Sequence, residues 1–178
     1  LKDEVCFFND RSARDARFSL EKIEKRSLTF NFKEVKDVTK ELPFQLTLAQ
    51  AIPQKSEKWE WILQKGTELG VQQFIPLITE RTQRQQLPKL ERMQRIVSEA
   101  AEQSGRTTIP IISTPTMLST WVPPITSFVA SLQASQKLLS QIQSISDIRN
   151  ITLIIGPEGG LTIAEEQKLN QHKVLPYS

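Results

Sequence analysis

Hydrophobic positions change their rhythm partway along the chain. In "SLTFNFKEV", Leu28, Phe30 and Phe32 alternate with polar residues, the period-two signature of a strand with one buried face. "EVCFFN" precedes an Asn9-Asp10 turn and "ARFSL" follows it, so residues 1–42 read as a small antiparallel β unit. From Leu46 the pattern becomes strand–helix alternation. "LTLAQAI" is a strand. Ser56 is the expected N-cap of a helix in which Trp59, Ile62, Leu63, Gly66 and Leu69 fall at helical spacing, with Gly70 as the stop.

"VQQFIPLI" is the next strand, and Pro76 predicts an edge or a bulge there, because proline gives a sheet no donor. Pro88 opens a longer helix. Its Leu90, Met93, Ile96, Val97, Ala100, Ala101 and Ser104 form one apolar-to-small face that ends at Gly105. "TIPII", "TSFVAS" and "ITLII" complete the strands, with helices between them. Such alternation predicts an α/β domain with a mainly parallel sheet.

Composition narrows the class. With 38% hydrophobic and 24% charged residues the 178-residue chain is that of a folded globular protein, large enough for one medium domain or a small one beside a larger one. One cysteine, Cys6, excludes an internal disulfide framework and a cysteine-based zinc site; in its apolar surroundings it is expected to be a buried strand residue. No apolar run reaches membrane-spanning length and no signal peptide is recognisable, so the expectation is a cytoplasmic, metal-free protein without a membrane partner. Leu1 is not a start methionine and "HKVLPYS" ends within a strand-like stretch, which suggests a piece of a longer polypeptide.

The net charge of +3 is uneven. Residues 1–110 hold 19 Lys and Arg against 16 Asp and Glu, and residues 111–178 hold 4 against 4. A polyanion would therefore meet the first part first. There "ERTQRQQLPKLERMQR" carries Arg81 and Arg84, which read either as a solvated charged face or as phosphate contacts.

Three of the six glycines fall in one turn, "GPEGG", Gly156 to Gly160. It follows a buried-type strand and precedes "LTIAEEQKLNQ", where Thr162 and Glu165 form the S/T-x-x-E pattern of a capping box. The turn therefore lies at the carboxyl end of a parallel strand, where open α/β sheets bind ligands. Neither G-x-G-x-x-G nor G-K-[ST] is present, so dinucleotide and P-loop fingerprints are excluded. A tight turn without a ligand would suit the glycines. Glu158, a carboxylate among glycines with nothing to pack on, favours a ligand or a catalytic role. A second stretch, "SEAAEQSGR", ends the long helix with Gly105-Arg106; it reads as a C-cap with a basic residue at the helix dipole, or as part of a site. His172 is assigned no role.

In order, "EWILQKGTELGVQQFIPLITER", "EAAEQSGR" and "LIIGPEGGLTIAEE" closely resemble the bacterial 16S ribosomal RNA uracil-N3 methyltransferase family of the SPOUT superfamily. "KDEVCFFND" and "LTLAQAIPQKSEKWEWILQK" resemble that family's N-terminal PUA-like barrel and its domain junction. The resemblance implies an incomplete PUA-like RNA-binding unit at 1–42 and a knotted SPOUT α/β domain at 43–178, acting as a homodimer on 16S ribosomal RNA of the small subunit. It implies S-adenosyl-L-methionine held by backbone groups near Leu132, along Ile155, Gly156, Pro157, Glu158, Gly159 and Gly160, and in the segment beginning at Leu175. Glu158 as base and Arg106 as stabilising cation are the catalytic candidates; Arg81, Arg84 and Arg106 are the RNA-binding ones. The family pattern continues beyond "LPYS" with a segment that completes the knot and brings another arginine. The other readings are a non-catalytic RNA- or ribosome-binding protein of this fold, a SPOUT enzyme acting on another RNA, and a generic nucleotide-binding α/β protein.

Overall fold

The computed structural model describes residues 4–9, 12–37, 41–83, 86–131, 134–145 and 148–178. β1 (Glu4–Asn9), β2 (Ser12–Ile23) and β3 (Leu28–Asp37) form an antiparallel sheet in that order. Its aromatic residues meet edge to face, with ring centroids 5.3 Å apart for Phe7–Phe18, 5.8 Å for Phe7–Phe30 and 5.6 Å for Phe18–Phe32. Cys6 is exposed, contrary to the expectation of burial. It follows Val5 and precedes Phe7 on an edge strand, so the pleat turns it away from the face on which the rings cluster.

The second unit is the expected parallel α/β sheet. In chain order it comprises β4 (Gln45–Ala51), α1 (Ser56–Glu68), β5 (Gln73–Ile78), α2 (Leu90–Ser104), β6 (Ile111–Ile112), β7 (Thr116–Met117), β8 (Ser127–Ala130), α3 (Leu138–Gln143), β9 (Asn150–Ile155), α4 (Ile163–Gln171) and β10 (Leu175–Tyr177). The strand order is β10-β8-β9-β4-β5-β6, with β7 also paired to β5. All of its ladders are parallel.

Pro76 explains why the outermost partner of β5 comes in two pieces. Gln73 and Phe74 pair with β6 and Leu77 and Ile78 with β7, leaving Ile75 and Pro76 unpaired on that side. On the other side Pro76 stays in register with Gln50. The bulge expected at Pro76 is thus a break in the neighbouring strand.

Successive residues of β5 serve opposite faces. Phe74 joins Trp59, Leu63, Val71, Met93 and Val97 beneath α1 and α2, whereas Leu77 joins Ala49, Leu118, Val129, Ile154, Leu169 and Val174 on the face of α4. Trp59 is 1% exposed and donates from Nε1 to Met93 Sδ at 3.3 Å. The N-cap of α1 is Lys55 rather than Ser56, with no side-chain cap bond. Gly105 caps α2 with φ of 66°, as the sequence indicates.

Candidate functional site

The carboxyl ends of β4, β5, β8 and β9 converge on one edge of the sheet, and the GPEGG turn lies there. Two long-range contacts fix it. Glu165 closes the capping box of α4, accepting from the Thr162 N–H at 2.9 Å, and its other oxygen accepts from the Glu80 N–H at 2.9 Å. The same carboxylate therefore caps a helix and ties its start to the segment after β5. In that segment Thr82 Oγ1 accepts from the Thr79 N–H at 2.9 Å, shaping the turn that carries Arg81. Arg81 Nη1 donates to the Gly159 carbonyl at 2.7 Å.

Beside the turn is a cleft of about 480 Å³ whose lining includes Ser131, Ile155, Glu158, Gly160, Glu166 and Tyr177. Gly156, Pro157 and Ser178 line it too. Its volume lies in the range of small-molecule sites. Gly160 has φ of +71°, and a Cβ there would meet nothing within 4 Å. Main chain thus forms part of the wall without a side chain in the way.

Glu158 is about half exposed, and its Oε1 accepts from Lys58 Nζ at 3.1 Å. Its own backbone N–H is the largest influence on the carboxyl; burial opposes it, and Lys58 and the Gln54 backbone add to it, so the carboxyl is held below its ordinary value. It is ionised at neutral pH, able to accept a proton but weakly basic. Burial raises the Tyr177 phenol, which stays neutral.

The other expected residues divide. Ile155, Gly156, Pro157, Glu158 and Gly160 line the cleft, whereas Gly159 turns its carbonyl to Arg81. Leu175 begins β10 beside Phe128 and borders a different cavity with Gln141; Tyr177 and Ser178, at the other end of that strand, reach the cleft instead. Leu132 and Arg84 lie outside the described residues.

Arg106 requires a correction. Its side chain is 4% exposed and donates to Glu41 Oε2 from Nη2 at 2.6 Å and to the carbonyls of Val71 at 2.6 Å and Thr67 at 3.0 Å. Those partners place it at the amino ends of the strands, whereas Glu158 follows the carboxyl end of β9. A six-residue strand spans roughly 20 Å. Within one chain Arg106 therefore cannot share a reacting base with Glu158, and its guanidinium is committed to protein acceptors. The alternative reading, a helix end with a basic residue folded back on it, fits this geometry.

Sequence reasoning did not single out Ser131 or Tyr177, although both fall in the segments expected near Leu132 and from Leu175, and it missed Glu166. Ser131 could have been found, since it follows "SFVA" just as GPEGG follows "ITLII", at the carboxyl end of a parallel strand. Among the described residues no group of three or more His, Cys, Asp or Glu could hold a metal, and no helix is long and apolar enough to cross a membrane.

A family model described as an RNA methyltransferase domain matches residues 40–178. The ribosomal RNA small subunit methyltransferase E of Rickettsia conorii is 34% identical over 180 residues, covering 97% of this chain and 70% of its own. The protein of that name from Bacillus subtilis is 30% identical over 171 residues, covering 88% of this chain and 66% of its own. The one from Synechocystis is 40% identical over 129 residues, with 68% and 42% covered, so the chain spans from under half to about two thirds of these relatives. Two solved structures are similar throughout. A methyltransferase from Legionella pneumophila in complex with the bound cofactor SAM gives a TM-score of 0.81 at 30% identity, covering 99% of this chain and 74% of that one. Ribosomal RNA small subunit methyltransferase E from Neisseria gonorrhoeae, bound to S-adenosyl methionine, gives 0.79 at 27%, also covering 99% and 74%.

Proposed function

The chain belongs to the RNA methyltransferase domain family, and from that premise we propose that it methylates N3 of a uridine in 16S ribosomal RNA of the small subunit, using S-adenosyl-L-methionine. The observation that carries the cofactor assignment is the cleft beside GPEGG. Its wall at Gly160 is bare main chain, suited to close approach by an adenosine, and Glu158 and Glu166 give it the negative charge that a sulfonium and an ammonium group require. The residues present fit the cofactor. When bound there, it supplies an electrophilic methyl group.

The protein's own part is to position and to manage a proton. Uracil N3 is a poor nucleophile until its hydrogen leaves, and an ionised carboxylate at the cleft can accept that proton. Glu158 is that carboxylate. Lys58 lowers its basicity and fixes its direction, so in-line alignment of N3 with the methyl group carries more of the rate than proton affinity does. Residues 1–42 serve as a PUA-like RNA-binding unit and 43–178 as the catalytic unit. The strand order β10-β8-β9-β4-β5-β6 supports a SPOUT arrangement with its knot at the cofactor cleft. The active unit is a homodimer in the cytoplasm, where its ribosomal substrate is made.

The test uses the full-length protein, labelled S-adenosylmethionine, and small subunits from cells lacking the enzyme. Label on N3 of one uridine, lost in Glu158→Gln even at saturating cofactor, is the expected result. Cofactor binding without label on this RNA would instead point to another RNA, and absence of cofactor binding to a non-catalytic RNA-binding role.

A further inference from the structure

An ion pair between buried Arg106 and partly buried Glu41 joins the segment that leaves the N-terminal sheet to the far end of α2. β3 ends at Asp37 and the described chain resumes at Glu41, whose carboxylate is a hub. Oε2 accepts from Arg106 Nη2 at 2.6 Å and Nε at 3.1 Å; Oε1 accepts from the Thr107 N–H at 3.1 Å and the Thr108 N–H at 3.2 Å. The guanidinium is itself held by the carbonyls of Val71 and Thr67. Leu42, the next residue, packs so closely over Gly70 that a Cβ there would lie 2.8 Å from its Cδ1. A planar fork against a carboxylate fixes direction as well as distance.

The three strands of the N-terminal sheet pair with one another, and a cleft of about 810 Å³ separates them from α2. Val5, Phe7 and Arg17 form one wall, and Ser98, Glu102 and Arg106 belong to the other. From this arrangement we infer that Glu41 and Arg106 are a positioning latch. They set the angle of the N-terminal sheet to the catalytic unit, and so where RNA held by that sheet is presented to the methyl donor. The inference rests on the functional reading above. A partly buried ion pair adds little to stability compared with apolar packing, but it selects a single geometry here because every atom of the hub is satisfied.

Glu41→Gln in the full-length protein keeps the shape and removes the charge. With spin labels at Asn31 and Glu91, in a Cys6→Ser background, the distance distribution is expected to broaden. Cofactor affinity should be unchanged, while kcat/KM for the ribosomal substrate falls on the order of a hundredfold through misplacement. A distribution as narrow as wild type, or cofactor affinity falling in step with kcat/KM, would overturn the latch. Should Glu41→Gln fail to fold, Thr108→Val removes one acceptor from Arg106 at 3.1 Å, leaves the ion pair, and is read in the same way with smaller changes. If the wild type transfers no methyl group to ribosomal RNA, the functional reading fails, and the label distances still decide the latch.

Discussion

Arg81 and Gly159 lie 78 residues apart and meet through a 2.7 Å hydrogen bond from the guanidinium to the glycine carbonyl. The bond crosses from the segment after β5 to the GPEGG turn, and Glu165 braces the same two segments through the Glu80 N–H. An arginine expected from sequence to face RNA thus holds the wall of the cleft proposed for the cofactor.

Arg81→Ala should therefore weaken the methyl donor. An exposed charge-assisted bond is worth about 1 kcal/mol, so Kd should rise roughly fivefold by calorimetry. Arg81→Lys should recover part of the loss, because the bond to the Gly159 carbonyl comes from a single nitrogen that an ammonium can replace. If Arg81 also tracks a phosphate, the salt slope of RNA binding in Arg81→Ala falls by about 0.9; with the turn as its sole partner the slope is unchanged.

Gly160→Ala separates strain from obstruction. A non-glycine residue at φ of +71° costs about 1–2 kcal/mol, a loss that thermal melting measures without ligand. The new methyl would stand in open space at a position that lines the cleft, so the stabilisation that S-adenosylmethionine gives the wild type should shrink or vanish in the variant.

Gly66 lies under a ring. A Cβ there would sit 2.6 Å from Phe74 Cε1 and 2.8 Å from Cζ, and Phe74 is wholly buried. Alanine's gain in helix propensity is about 1 kcal/mol, whereas overpacking costs about 1–3, so Gly66→Ala should be net destabilising. The double variant Gly66→Ala/Phe74→Leu should show favourable coupling in denaturant melts.

Glu41 gives stability a pH dependence. Burial alone would raise its pKa, but hydrogen bonds from Arg106, Thr108 and Thr107 together with the Arg106 charge bring it below the ordinary 4.5. A depressed carboxylate contributes stability that is complete above the unfolded pKa and is lost as pH falls through the folded one. The gap between wild type and Glu41→Gln should be constant at neutral pH and narrow below about pH 4.5. A gap that widens on acidification would contradict the assigned direction.

The sequence by itself determined the elements whose causes are local. The strand signalled by Leu28, Phe30 and Phe32 (though Leu28 and Phe32 stay exposed rather than buried), the capping box at Thr162 and Glu165, and the left-handed Gly105 are settled within a few residues, so pattern and turn chemistry suffice. GPEGG at the end of a buried strand was legible for the same reason. Only the tertiary structure decided which side chains meet. Arg106 and Glu41 are 65 residues apart, and nothing near "EQSGR" announces that its arginine turns inward to a carboxylate that precedes β4. Cys6 sits in an apolar stretch but on an edge strand, and Tyr177, not Leu175, reaches the cleft because β10 runs parallel to β8. Periodicity reports which face of an element is apolar. The order in which strands assemble decides what stands opposite that face, and contacts between residues far apart in sequence set that order.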